Sequence, residues 1–243
     1  MISGWNKRYS EILHEFKYSE KQDTASAIIL DSILRKTVPV KKISEQIKGK
    51  TVFVIGAGPS LSLAIPVLKN FKKAVKIVAD SAVKPLVENG IKPDIVVTDL
   101  DGDKDSLIKV GKTNSIFVIH AHGDNIAKLY LVENFKNCIG TTQSKPFKNI
   151  HNFGGFTDGD RAVFLASHFD AKKIILFGMD FGEKIGKYSQ TKAAERKTKL
   201  KKLRKGKSLL EWLSGKTRSQ LFTTSGTIRG FENISYNELD III

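Results

Sequence analysis

The chain has 243 residues, 41% of them hydrophobic, and sets 40 Lys and Arg against 25 Asp and Glu, a formal net charge of +15. That length supports one sizeable α/β core, and with no apolar run near the roughly 20 residues that cross a bilayer, a soluble, cytoplasmic protein with no membrane partner is expected. A lone cysteine, Cys138, excludes a disulfide framework or a Cys-rich zinc site, and the positive balance points to an anionic partner: nucleic acid, an acidic surface or a polyphosphate.

Residues 1–49 read as a helical segment. The N-terminus mixes charged with apolar residues, unlike a signal peptide. Trp5, Tyr9, Ile12, Leu13 and Phe16 share one face at helical spacing, and Ser19 with Gln22 forms a capping pattern ahead of a second run through Ala25, Ile28, Ile29 and Ile33. Pro39 breaks that run, and a third short helix ends at Gly49. From Thr51 the texture changes to "TVFVI", "VKIVA", "DIVVT", "SIFVIH", "NCIGTT" and "KKIILFG", separated by helical stretches such as "LSLAIPVLKNF" and "IAKLYLVENF". Strands without polar alternation are buried on both faces, so residues 50–190 predict a doubly wound, mainly parallel α/β domain. Residues 191–243 read as a basic helical lid, rich in lysine from Lys192 to Lys207, followed by a closing segment. Within it Leu209, Leu210, Trp212 and Leu213 pack on the main domain, and "LFTTSGTIRGFENISY" reads as strand or ordered loop.

Ligands of doubly wound sheets bind beyond the carboxyl ends of the strands, and the loops there hold the chemistry. In "GAGPS", Gly56 and Gly58 allow close backbone approach, and the following helix N-terminus offers amides to an anion. The loop lacks the Lys-Ser/Thr of a Walker loop, and Leu61 stands where a dinucleotide fingerprint has its third glycine. Asp80 closes the second strand, where a ribose-binding acid would sit. Asp99, Asp101 and Asp103 are hard oxygen donors on one loop, the expected ligands of a Mg²⁺ ion that also meets substrate phosphates. The competing account is a turn that caps the helix from Lys104, which explains one of the three acids. In "HAHGDN", His120, His122, Asp124 and Asn125 gather at the end of the fourth strand as substrate or phosphate contacts, with zinc as the alternative. Thr157 or Asp158 caps a helix beginning near Arg161, and Asp180 closes a later strand as a ligand contact. His14, His151 and His168 read as structural, and Cys138 as a plain buried residue.

Taken in order, "GAGPSL", "AD" at 79–80, "PDIVVTDLDGD", "HAHGDN", "TTQ" at 141–143, "NFGGFTDGDRA" and "FGMDFG" resemble the archaeal 6-hydroxymethyl-7,8-dihydropterin pyrophosphokinases of the MptE type over residues 51–182. A more distant likeness is to thiamine pyrophosphokinase. The resemblance implies Mg²⁺-dependent transfer of diphosphate from ATP to a reduced pterin, giving AMP and a pterin diphosphate for tetrahydromethanopterin or folate-like cofactor synthesis. It assigns Asp99 and Asp101 to Mg²⁺ and, with Asp124, to catalysis, and makes Asp80 and Asp158 further metal or nucleotide contacts. Gly56, Gly58, Pro59 and Ser60 would meet phosphate or ribose, His120, His122 and Asn125 the phosphate or pterin side, and Lys192, Arg196 and Lys199 would close over the triphosphate. The thiamine likeness implies a homodimer. Competing readings are a thiamine kinase, a nucleotide-sugar-dependent glycan-modifying transferase, and an RNA- or dinucleotide-binding module, although nucleic acid is not the expected partner.

Overall fold

The computed structural model describes residues 2–34, 37–189 and 191–243. Among these residues nine parallel strands form one sheet: β1 (Thr51–Ile55), β2 (Val75–Ala79), β3 (Ile95–Thr98), β4 (Ile116–Ala121), β5 (Cys138–Thr142), β6 (Ile150–His151), β7 (Lys173–Phe177), β8 (Gln220–Thr223) and β9 (Glu232–Asn233). Their spatial order is β6-β5-β4-β3-β2-β1-β7-β8-β9. Winding therefore runs outward from β1 in one direction and resumes from β7 in the other, so the strand order reverses beside β1. Side chains alternate between two cores because successive residues of a strand face opposite ways. Val52, Val54, Ile77, Val97, Ile174 and Leu176 enter one core, and Phe53, Ile55, Val78, Val96, Ile175 and Phe177 the other. Helices cover both, as the unbroken apolar strands require.

The helical prefix is part of these cores. Trp5, Tyr9 and Ile12 of α1 (Trp5–Phe16) and Ile43 and Ile47 of α3 (Val40–Ile47) pack on one face. Ala27 and Leu30 of α2 (Glu20–Ile33) pack on the other, and the Val38 N–H donates to Cys138 O at 2.7 Å. Ser19 caps α2, accepting from the Gln22 N–H, as expected. The buried face of α2 differs from the expected one: Asp23, Ser26, Ala27 and Leu30 are inside, whereas Ala25 and Ile28 are exposed. Apolar residues lie on several sides of this helix, so periodicity alone does not choose a face.

Downstream, α4 (Leu61–Leu68), α5 (Val83–Glu88) and α6 (Lys104–Gly111) follow β1, β2 and β3, and α7 (Asp158–His168) precedes β7. The stretch "IAKLYLVENF", expected to be helical, falls largely within Gly123–Asn134, which winds as 3-10 turns. The lysine-rich stretch becomes α8 (Arg196–Ser214), anchored by Leu209, Leu210 and Leu213 with Trp212 partly buried. Its successor adds β8 and β9 to the sheet, so residues 191–243 extend the main domain rather than merely close over it. Gln190, at the expected boundary, lies outside the described residues. Among the described residues no helix is long and apolar enough to cross a membrane. Cys138 is buried in β5, and burial pushes its thiol up to about 12.

Candidate active site

A cleft of about 110 Å³ lies where the strand order reverses. The loops after β1, β2 and β7 and the start of α7 form its walls, bringing in Gly56, Gly58, Asp80, Thr157, Asp158 and Asp180. Gly56 and Gly58 have a packing reason here that the sequence did not suggest. Their N–H groups donate to Phe177 O and Gly178 O, each at 2.8 Å, and a Cβ on either would lie 2.7 Å from Gly178 O. The glycines thus fuse the loops after β1 and β7. Asp180 engages the start of α4: its Oδ2 accepts from Ser60 N at 3.0 Å and from Ser60 Oγ at 2.8 Å. This amide and hydroxyl, expected to meet phosphate, are held by a carboxylate of the same chain.

The acids that converge are Asp80, Asp99 and Asp158, with one carboxylate oxygen from each lying within 4.8 Å of the others. The grouping differs from Asp99, Asp101 and Asp103. Leu100 adopts a left-handed backbone, φ 70°, between Asp99 and Asp101. Asp99 remains in the trio, while the largely exposed Asp101 side chain pairs with Lys128. Asp103 caps α6, accepting from Ser106 N at 3.0 Å, and pairs with Lys84 at 3.0 Å. Asp158 is free to join the trio because Asp160 serves as the capping acid of α7, accepting from the Phe156 and Thr157 N–H groups.

Burial and the negative charge of Asp99 push the Asp80 carboxyl up to about 7, against hydrogen bonds from Thr98 and from the Asp101 amide. Burial likewise raises Asp158, aided by Asp99 and opposed by Arg161. At Asp99 burial opposes ionisation, yet His122, Arg161 and Lys202 hold the carboxyl below its ordinary range. Asp80 Oδ1 and Asp99 Oδ1 are buried with no hydrogen-bond partner among the described residues. Three converging carboxylates, two of which carry an otherwise unsatisfied oxygen, fit a divalent cation.

The "HAHGDN" loop divides its labour. His122 Nε2 lies 3.4 Å from Asp99 Oδ2. Asn125 is a buried brace: its Nδ2 donates to Asp99 O and His120 O, and its Oδ1 accepts from His122 N. The Asp124 side chain is exposed and makes no hydrogen bond or ion pair among the described residues. His120 is buried in β4, where desolvation and then Arg161 hold its imidazole well below the ordinary value. It lines a small cavity with Thr141, Thr142 and Arg161, apart from the main cleft.

Lys199 reaches the cleft from α8, whereas Lys192, Arg196 and Pro59 line an adjoining basic recess with Lys184 and Lys187. Sequence reasoning missed Lys202 and Lys184, which line the cleft, and Arg161, whose Nη1 donates to Asp158 Oδ1 at 3.1 Å. Lys199, Lys202 and Leu203 recur at helical spacing, a signal that would have picked out the inward face of α8.

A family model described as 6-hydroxymethylpterin diphosphokinase MptE-like matches residues 29–186. The chain is 45% identical over 233 residues to a Methanocaldococcus jannaschii protein, covering 88% of this chain and 96% of that one. It is 42% identical over 229 residues to a Pyrococcus furiosus protein, covering 91% and 97%. A Methanothermobacter thermautotrophicus protein is 41% identical over 192 residues, with coverage of 78% and 82%. All three are named 6-hydroxymethyl-7,8-dihydropterin pyrophosphokinase. Among solved structures, the Maf glycosyltransferase of Magnetospirillum magneticum matches with a TM-score of 0.59 at 16% identity. That match covers 86% of this chain and 39% of the glycosyltransferase, a likeness of fold alone. With half of its length and more matched by the family model, and relatives above 40% identity along most of the chain, the protein belongs to the MptE-like family.

Proposed function

We propose that this protein transfers diphosphate from ATP to the hydroxymethyl group of 6-hydroxymethyl-7,8-dihydropterin, in the cytoplasm, with Mg²⁺ as the metal and tetrahydromethanopterin-type synthesis as the destination. The observation that carries the reading is the convergence of Asp80, Asp99 and Asp158 beside the cleft at the strand-order reversal, in a chain whose relatives bear that name. In the balanced step the substrate hydroxyl oxygen bonds to the β-phosphorus of ATP. The bond from that phosphorus to the α,β-bridging oxygen breaks, AMP leaves with that oxygen, and the hydroxyl proton passes to water. Such transfers ask the protein mainly for alignment and for stabilisation of charge on the phosphate oxygens.

Held by Asp80, Asp99 and Asp158, Mg²⁺ would supply the charge neutralisation that lets acids and phosphates share one site. His122 and Arg161 orient two of these carboxylates, and Lys199 and Lys202 offer N–H donors to the phosphate tail. Asp180, already tied to Ser60, presents its second oxygen to a ribose hydroxyl. The test is to incubate the protein with ATP, Mg²⁺ and the reduced pterin, with thiamine in a parallel reaction. AMP and pterin diphosphate in equal amounts are expected, with no turnover of thiamine. Release of ADP, or no AMP with the pterin, contradicts the reading.

A further inference from the structure

The buried face of α2 carries a carboxylate, Asp23, only 3% exposed and without a cation partner among the described residues. Taking a charge out of water without a counterion opposes folding, so its position calls for a reason beyond packing. Three donors surround it. Tyr9 Oη lies 2.7 Å and Gln143 Nε2 2.8 Å from Oδ2, and Gly123 N lies 2.9 Å from Oδ1.

Both oxygens lead to the acidic trio. Gln143 Oε1 accepts from Arg161 Nη2 at 3.4 Å, and Arg161 Nη1 donates to Asp158 Oδ1 at 3.1 Å. An ionised carboxylate only accepts, so Asp23 draws the Gln143 NH₂ toward itself and turns the Gln143 carbonyl toward Arg161. On its other side Asp23 holds the amide of Gly123, the residue after His122, whose imidazole touches Asp99. Three residues along the same face, Ser26 Oγ lies 3.4 Å from Asn125 Oδ1, and Asn125 in turn holds the Asp99 carbonyl.

We propose that Asp23 is a positioning residue for the cation site, fixing Asp158 through Gln143 and Arg161 and fixing Asp99 through the Gly123–His122 turn. The inference rests on reading the trio as that site. It gives a role in the chemistry to the helical prefix, since Asp23 precedes the matched family segment at 29–186.

Replacing the carboxylate with an amide makes the geometry decisive. In Asp23→Asn the new NH₂ faces either the Gly123 N–H or the Tyr9 and Gln143 donors. Tyr9 can turn its hydroxyl to accept, but Gln143 must flip and present its NH₂ to Arg161, so one of the two arms is lost. The test titrates Mn²⁺ against the full-length protein without nucleotide, counting free ion by electron paramagnetic resonance, and then measures AMP formation across Mg²⁺ concentrations. Asp23→Asn is expected to bind Mn²⁺ at least about tenfold more weakly, the scale of outer-shell changes at metal sites. Its Mg²⁺ half-activation concentration should rise in step while the KM for the pterin stays put. Asp31→Asn is the control: on the same helix, its carboxylate pairs with Lys148 and accepts from Asn149 N, away from the trio. It should match the parent. Gln143→Met cuts only the Arg161 arm and carries the test should Asp23→Asn not fold. Folded variants with the parent's Mn²⁺ affinity would overturn the inference. A parent that binds no Mn²⁺ would instead overturn the cation site, and the inference with it.

Discussion

Carboxylates packed as closely as Asp80, Asp99 and Asp158 do not all stay ionised without a countercharge, since two unit charges 4 Å apart repel by about 4 kcal/mol at an effective dielectric near 20. His122, Arg161 and Lys202 settle the contest in favour of an ionised Asp99, and the Asp80 carboxyl rises to about 7. A carboxyl whose folded value exceeds its unfolded value of about 4 favours the folded state most below that value. This contribution is lost as pH rises through 7. Without divalent cation, Asp80→Asn should therefore melt further above the parent at pH 8 than at pH 5, with the buried histidines common to both proteins. A gap that stays constant or shrinks with pH would refute the assignment. With Mg²⁺ and both substrates, Asp99→Asn should lower kcat by at least about 10²-fold, the scale of losing one preorganised electrostatic partner. Asp103→Ala should cost about 1 kcal/mol of stability as a lost helix cap, read as a melting shift of about 2–4 °C in a chain of this size, with kcat little changed. Equal loss of kcat in the two variants would restore Asp103 to the metal site.

At the level of elements, α8 brings its inward face to the cleft because its other contacts hold it there. Lys205 Nζ lies 3.0 Å from Glu15 Oε2 of α1, and Lys201 Nζ donates to Glu15 O at 2.7 Å. Part of the lysine excess is thus occupied in joining two helices, while Lys199 and Lys202 remain on the cleft wall. Replacing both by Ala should raise the KM for ATP more than about tenfold, as charged hydrogen bonds contribute about 1.5–3 kcal/mol each, with the pterin KM unchanged. An unaltered ATP KM would remove α8 from the nucleotide site. The strands, the strand-end loops and the basic segment were legible in the sequence because apolar runs and glycine turns are local signals. The partners of the acids were not. Asp80 and Asp158 meet Asp99 only across β2, β3 and α7, a distance along the chain that spacing within one loop does not encode. Asp101 and Asp103 stand apart from the trio for the converse reason, since neighbours in sequence are separated by the left-handed turn at Leu100 and by the cap of α6. On α2 apolar residues obscured a buried polar face whose partners come from three other segments.

Over the whole molecule, the fold places chemistry by its winding. Strands that run outward from β1 and resume at β7 leave a crevice beside β1, and the sheet delivers the ends of β1, β2 and β7 there, with Asp99 after β3 set next to Asp80 and Asp158. The prefix packs into the cores on both faces, while β8 and β9 extend the sheet beyond β7. At the centre of the proposed chemistry is a divalent ion held by three acids from different parts of this framework. Anomalous diffraction from crystals soaked with Mn²⁺ and a non-hydrolysable ATP analogue tests it most directly. A manganese peak about 2 Å from oxygens of Asp80, Asp99 and Asp158, with the phosphate tail beside it, is predicted. A peak on Asp101 and Asp103, or a nucleotide bound away from the trio, would contradict it.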